Sequence, residues 1–170
     1  MSLKETLYNG IKTDLTNLDY VKADGTIERL KHIALWRNQL AREKEEIPFN
    51  YPAVFVEFLS SSYTESSSKA YQALDMTVRL HICFESYKDE DLDILRLTQA
   101  VYGKMQLAQY GECGNMMRRN EEQNFDHSNV QDFMQDYDIS KAHDYNADRR
   151  PSTPATISTL VITPEIVSEI

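Results

Sequence analysis

Two histidines in this chain stand directly beside aspartates, as Asp126-His127 and His143-Asp144, and such pairs are raw material for a metal site or an acid–base couple. On a strand, adjacent side chains point to opposite faces, so neither pair chelates as it stands. The paired acids Glu121-Glu122 and Asp136-Asp138 do acid–base work only in a cleft that raises a pKa, and little apolar sequence surrounds them. His32 and His81 are single, and His81 sits at a polar position of an alternating run, where a solvated side chain is expected. The serines at 60–62 and 66–68 have no histidine near them in sequence and read as loop chemistry. Cys83 and Cys113 are too few for a disulfide framework and read as reduced, structural thiols.

The larger catalytic patterns are missing as well. The sequence has no Gly-x-Gly-x-x-Gly, no phosphate-cradling Gly-x-x-x-x-Gly-Lys-Ser/Thr, no His-Glu-x-x-His and no Gly-x-Ser-x-Gly. Its five glycines leave little for loops that bring backbone close to a ligand. The expectation is a chain that is not an enzyme and has no catalytic residue, cofactor or metal. Trp36 and Phe55 read as core or interface anchors. The rival from another class is a small cytosolic adaptor, or an enzyme with an acidic cleft. That rival needs Asp126, His127, Asp132, Asp136 and His143 gathered in one apolar pocket.

Charge narrows the partners. The 170 residues carry a formal charge of −9, which argues against a protein that grips nucleic acid through its phosphates. Nine acids between Glu112 and Asp148 face only Arg118, Arg119 and Lys141, so this stretch holds most of the excess. It reads as a solvated face or, more sharply, as an acidic lumen face carrying Glu121, Glu122, Asp132 and Asp136. Apolar residues at 41% and charged residues at 26% are ordinary for a soluble domain. No apolar run approaches the ~18 residues that span a bilayer, and no secretory segment follows Met1, so assembly in a cytosol is expected.

The elements that must position these residues are legible from periodicity. Ser2 and Glu5 form a capping box, and Leu3, Leu7, Ile11, Leu15 and Leu18 step along one helical face, so a helix is expected to end between Asn17 and Tyr20. Ala23 to Thr26 reads as a turn. Ile27 to Glu46 fits helical spacing, yet Lys31 to Trp36 is also a plausible strand, and period alone does not decide. Ala53 to Leu59 is β-branched and aromatic, as a buried strand is, and Ser60 to Ser68 reads as a loop. From Gln72 to Tyr87 the chain alternates: Leu74, Met76, Val78, Leu80, Ile82 and Phe84 on one face, Asp75, Thr77, Arg79, His81, Cys83 and Glu85 on the other. About fourteen residues make a rod of roughly 45 Å, too long for a small domain to cover, so part of it is expected to pair with another copy.

A second helix is expected from Lys88–Asp91, with Leu92, Leu95, Tyr102 and Met105 beside Ile94, Leu97, Val101 and Ala108 in one stripe, closed by Gly111 and Gly114. Asn115 to Phe125 and Val130 to Ile139 read as strands about a turn at 126–129, with Phe133, Tyr137 and Ile139 on one face. The fold class is therefore α+β: an N-terminal helix, a mixed or antiparallel sheet with a long hairpin, one helix packed across it, and an extended C-terminal arm. Residues 1–148 form the domain. The arm, 149–170, is rich in Pro, Ser and Thr and holds a β-prone segment, Thr156 to Ile162, that is expected to pair away from its own core.

Three stretches carry a family resemblance: His32 to Leu40 (HIALWRNQL), Glu45 to Phe49 (EEIPF) and Pro52 to Phe58 (PAVFVEF). This block resembles one in small tail proteins of phages and prophages, a strand ending in Asn-Gln, an acidic link, then Pro-Ala-Val-Phe-x-Glu-Phe. The order of elements over residues 1–147 is similar to that of the tail terminator, or tail-completion, proteins of long-tailed phages. The resemblance favours a strand at 31–36. It implies a homo-oligomeric ring, a hexamer, that caps the tail tube, ends its polymerisation and meets the head connector, with DNA passing through unbound. The implied location is the virion tail or neck, assembled in the host cytoplasm. A head-completion or neck connector protein is the alternative within that class. The residues taken as candidates for the subunit or tail interface are Trp36, Asn38, Gln39, Phe55, Glu57, Arg79, His81 and Leu160.

Overall fold

The computed structural model describes residues 2–38, 40, 49–65, 72–85, 91–111, 113–124 and 130–144. Helix α1 spans Leu3–Thr16 and helix α2 Asp91–Met105; the strands are β1 Asp19–Val21, β2 Ile27–Arg29, β3 His32–Leu35, β4 Ala53–Glu65, β5 Gln72–Glu85, β6 Met116–Asn124 and β7 Val130–Asp144. This is the α+β class expected from the sequence. The N-cap half of the expected capping box is formed: Ser2 Oγ accepts the Glu5 N–H at 3.3 Å, and Leu3, Leu7, Ile11 and Leu15 are buried. The 31–36 region is strand, because β3 lies parallel to β4 with His32 opposite Ala53 and Leu35 opposite Val56.

A small antiparallel hairpin, β1 with β2, surrounds the expected turn. Its tip uses Gly25 at φ 85°, and Asp24 Oδ1 accepts both the N–H and the hydroxyl of Thr26. Asp93, buried near the start of α2, fastens the hairpin. It accepts the Ala23 N–H at 2.5 Å and pairs with Lys22 at 3.5 Å.

The main sheet runs β3-β4-β5-β7-β6, parallel only between β3 and β4. The long alternating strand is thus its centre. β4 pairs along β5 from Ala53↔Cys83 to Glu65↔Gln72, and β7 from Gln72↔Asp144 to Glu85↔Val130. The expectation that its length demands a second copy is therefore corrected. Residues 60–65, read as loop, continue β4, and β7 runs past Ile139 to Asp144, so the rod is matched from within. The open edges lie elsewhere. Beyond Val56 no described strand pairs the outer side of β4, and none pairs the outer side of β6.

Under the helices, Val54, Val56, Met76, Val78, Leu80, Ile82, Tyr137 and Ile139 meet α1 and α2 in one core. In α2 that core takes Ile94, Leu97, Val101 and Met105, whereas Leu92 and Leu95 are 58% and 50% exposed. The broad stripe was thus too broad: a 3.6-residue period puts Leu95 about a third of a turn, and Leu92 about half a turn, from the buried line. The helix also stops before the expected glycines. Leu107, at φ 66°, reverses the chain, its N–H donates to the Met116 carbonyl at 2.8 Å, and Met116 N–H returns to the Ala108 carbonyl. Gly114 then donates to the Ser140 carbonyl at 3.1 Å, an approach so close that an added Cβ would collide with that oxygen.

Candidate functional site on the uncovered sheet face

Among the described residues no helix covers the second face of the sheet, and the register decides what stands there. Ala53, Cys83, Asp132 and Asn124 lie opposite one another across β4, β5, β7 and β6. Phe55, His81, Met134 and Glu122 form the next row, and Glu57, Arg79 and Asp136 the one after. A small apolar cluster of Leu40, Ala53, Phe55, Cys83 and Val130, with Trp36, Phe49 and Tyr51 against it, occupies one end. The rest is a ladder of charges.

His81 is the centre of that ladder. Its Nδ1 lies 3.1 Å from Asp132 Oδ2 and its Nε2 3.1 Å from Glu57 Oε2, while the Trp36 indole stacks on the ring at 3.9 Å and 8°. Both ring nitrogens thus lie within hydrogen-bond distance of a carboxylate oxygen. His81 is 4% exposed, which corrects the solvated reading. At this point of β5 Trp36 and the carboxylates of the neighbouring strands cover the polar side, and among the described residues only His81 and Cys83 of its polar positions are buried.

Asp132 is fully buried and also accepts from the Cys83 thiol at 3.8 Å. Burial, with the adjoining Asp132 charge, pushes that thiol well above its ordinary range, so it stays protonated and unreactive. One row along, Arg79 donates from Nε and Nη2 to the two oxygens of Asp136, at 2.7 and 3.0 Å, with Glu122 at 3.4 Å. The Asp136 hydrogen bonds hold the guanidinium proton more firmly than usual. Beyond them Asp138 accepts from Thr77 at 2.8 Å and from Arg119 at 2.7 Å.

The candidate interface residues Trp36, Phe55, Glu57, Arg79 and His81 therefore gather on one face. Asn38 lies beyond β3, exposed at φ 60° and apart from the ladder. Gln39 and Leu160 lie outside the described residues, as do Asp126 and His127 and the side chains of His143 and Asp144. The four acids expected on one lumen face do not share it. Glu122, Asp132 and Asp136 stand in the ladder, but the last two are 0% and 8% exposed and engaged by His81 and Arg79. Glu121 lies on the helix side, accepting from Gln135 at 2.9 Å and Arg118 at 2.6 Å. There Gln135, fully buried, also donates to the Thr98 carbonyl and accepts the Tyr137 hydroxyl. Sequence reasoning missed this helix-side network and the His81–Asp132 pair, because both depend on register across strands far apart in the chain.

Glu57 and Asp132 sit on opposite sides of the His81 ring, and among the described residues no three His, Cys, Asp or Glu side chains are grouped to hold a metal. A general base needs a lone pair free for a substrate, and both His81 nitrogens are engaged. What the face presents outward is a shallow depression of ≈ 580 Å³ between Trp36, Glu57, Arg79, Glu122 and Asn124. Among the described residues no helix is long and apolar enough to cross a membrane.

No family model matches the chain, and no curated protein matches it. Among the chains of solved structures that do match is one from the "Virion of native gene transfer agent (GTA) particle", 8% identical, with a TM-score of 0.52 over 84% of this chain and 97% of that one. At that identity the likeness is one of fold: nearly the whole of a gene transfer agent virion chain superposes on the helix-backed sheet described here.

Proposed function

We propose that this chain is a structural protein of a phage or phage-like virion, and that copies of it form a ring, of six, capping the tail tube where it meets the head connector. The observation that carries this reading is the fold shared with nearly the full length of a gene transfer agent virion chain. The block from Leu30 to Phe58 supports it from the sequence side. That block builds β3, the start of β4 and the Trp36 stack, the parts that frame the uncovered face. The chemistry is compatible with that reading, since the arginines of the ladder are engaged by its carboxylates, Arg79 by Asp136 and Glu122 and Arg119 by Asp138. A charge of −9 suits a wall past which DNA slides without adhering. Asp132 and Asp136 belong to the ladder, so exposed acids would have to line that wall.

Mass photometry and negative-stain microscopy of the purified chain, alone and with tail tubes, test the reading. Rings of a single stoichiometry, in solution or seated on tube ends, are expected. A chain that stays monomeric and binds no tube refutes it. Labelled particles with the chain at the head vertex, away from the tube end, would reassign it to head completion.

A further inference from the structure

We infer that the outer edge of β4 from Leu59 to Glu65 takes up, as an added strand, the segment Thr156 to Ile162 of a neighbouring copy. The inference rests on the ring reading and supplies the contact that would join its subunits. β3 leaves β4 after the Trp36 N–H donates to the Val56 carbonyl at 2.9 Å, and among the described residues no strand replaces it. The stretch Leu-Ser-Ser-Ser-Tyr-Thr-Glu has no proline or lysine and no charge before Glu65, and its pairing with β5 shifts register only at its start, between Phe58 and Ser61, so from Ser61 on it lacks the usual guards against strand addition. The opposite edge, β6, also has a register shift, between Arg118 and Asn120, and is guarded besides by the charges of Arg118, Arg119, Glu121 and Glu122. Of the two edges, β4 is the receptive one.

The occupant follows from where the described chain ends. Asp144 closes β7 opposite Gln72, which faces Glu65, so the arm starts level with the end of the open edge and two strand spacings, about 10 Å, from it. The eleven residues from Tyr145 to Ala155 reach at most about 40 Å. The segment after them, Thr-Ile-Ser-Thr-Leu-Val-Ile, matches the edge residue for residue in length, is rich in β-branched side chains and stops before Pro164. Reach alone would allow the arm to return to its own β4. To do so it would cross the connection between Glu65 and Gln72 at the same end of the sheet, and crossed connections there are avoided. An arm arriving from a neighbour meets no such obstacle, and main-chain hydrogen bonds then supply the attachment.

Full-length variants test this. One set carries Ser60→Cys, Ser61→Cys or Ser62→Cys, the other Ser158→Cys, Thr159→Cys or Leu160→Cys, and the two sets are mixed pairwise under mild oxidation. The expected result is a disulfide between different chains for at least one pair, since paired strands bring Cα atoms within about 7 Å. Thr159→Pro in the full chain, which removes the main-chain donor that an added strand would use, should weaken self-association about tenfold or more. Failure of either result overturns the proposal. Disulfides that form only when both cysteines share one chain would mean the arm folds back on itself. Rings that assemble normally with Thr159→Pro and yield no cross-link would remove the arm and leave the ring reading intact. A wild-type chain that never self-associates, alone or on tubes, would remove both.

Discussion

The ion pair at the middle of the ladder allows a quantitative test. Arg79 and Asp136 share two hydrogen bonds, at 2.7 and 3.0 Å, with side chains 23% and 11% exposed. At an effective dielectric of about 20, opposite charges 4 Å apart attract by about 4 kcal/mol, and desolvation takes back much of that. The two ends are not equivalent. Arg79 keeps Glu122 at 3.4 Å and some water when Asp136 is lost, so Asp136→Asn should cost about 1.5–3 kcal/mol. Arg79→Met leaves the Asp136 carboxylate buried without that cation, which should cost about 3–5 kcal/mol. The combined Arg79→Met/Asp136→Leu variant should recover about 2 kcal/mol relative to the sum of its parts. The assay is chemical denaturation followed by circular dichroism at several protein concentrations, because association would add to apparent stability. In thermal scans, about 3 kcal/mol corresponds to roughly 6–12 °C for a domain of this size. Repeating the cycle at high salt discriminates further, since a sheltered pair is screened little. Equal single costs below about 0.5 kcal/mol, or a coupling that vanishes with salt, would mark an ordinary surface pair and refute the sheltered ladder.

Three further outcomes are expected. Gly114→Ala should destabilise the chain by about 2 kcal/mol or more in urea melts, because the new Cβ meets the Ser140 carbonyl oxygen; an unchanged midpoint would mean that the two segments separate freely. Leu107→Gly should raise stability by about 1 kcal/mol, since an exposed leucine is held at φ 66°, where glycine has no steric cost, and a loss would show that the Leu107 side chain makes a contact of its own. Burial holds the Cys83 thiol and the Tyr137 phenol protonated above their ordinary values of 9.0 and 10.0. The unfolded chain releases those protons first, so the stability they give is complete below pH 9 and falls as pH rises beyond it, by up to about 1.4 kcal/mol per pH unit for each group. A denaturation midpoint that stays level from about pH 8.5 to about pH 10.5 would contradict both burials.

What was legible in the sequence was whatever repeats with a short period. The stripe of Leu3, Leu7, Ile11 and Leu15 and the alternation through β5 specify a helix and a strand, because each rests on neighbours two to four residues apart. Helix α2 was legible in existence and blurred in face, since Leu92 and Leu95 widened its stripe without being buried. The end of α2 was misplaced because Leu107, with no composition cue, takes a conformation usually left to glycine. The serines of β4 read as loop by composition, and pairing with β5 overrode that propensity. The ladder was legible only in its parts. The residues of β7 that face it, Asp132, Met134, Asp136 and Asp138, share one parity, and β5 offers Cys83, His81, Arg79 and Thr77 in the same way. That each acid meets its own partner depends on a register set across some fifty residues of chain, which no local pattern encodes.

The geometry of the proposed contact also bears on why a ring would follow instead of a dimer. Two copies pairing β4 against β4 would use the same edge twice, about a two-fold axis, and the assembly would stop there. A donated arm uses two different surfaces of each molecule, the segment 156–162 and the edge 59–65, so every copy gives one strand and receives one. Such a heterologous contact repeats a single rotation until the chain of copies closes or grows without limit. Each closed ring leaves no β4 edge vacant, which removes the unguarded backbone that would otherwise recruit other chains. The ladder anchors the base of the receiving strand, because Glu57 and Phe55 tie β4 to β5 through His81 and Trp36 just before the edge opens and the register shifts after Phe58. Loosening the ladder should therefore weaken assembly as well as folding. Asp136→Asn, which leaves Arg79 its contact with Glu122 and most of the fold intact, should shift self-association less than Arg79→Met does, measured on rings at matched folded concentration. The reverse order would disconnect the ladder from the edge.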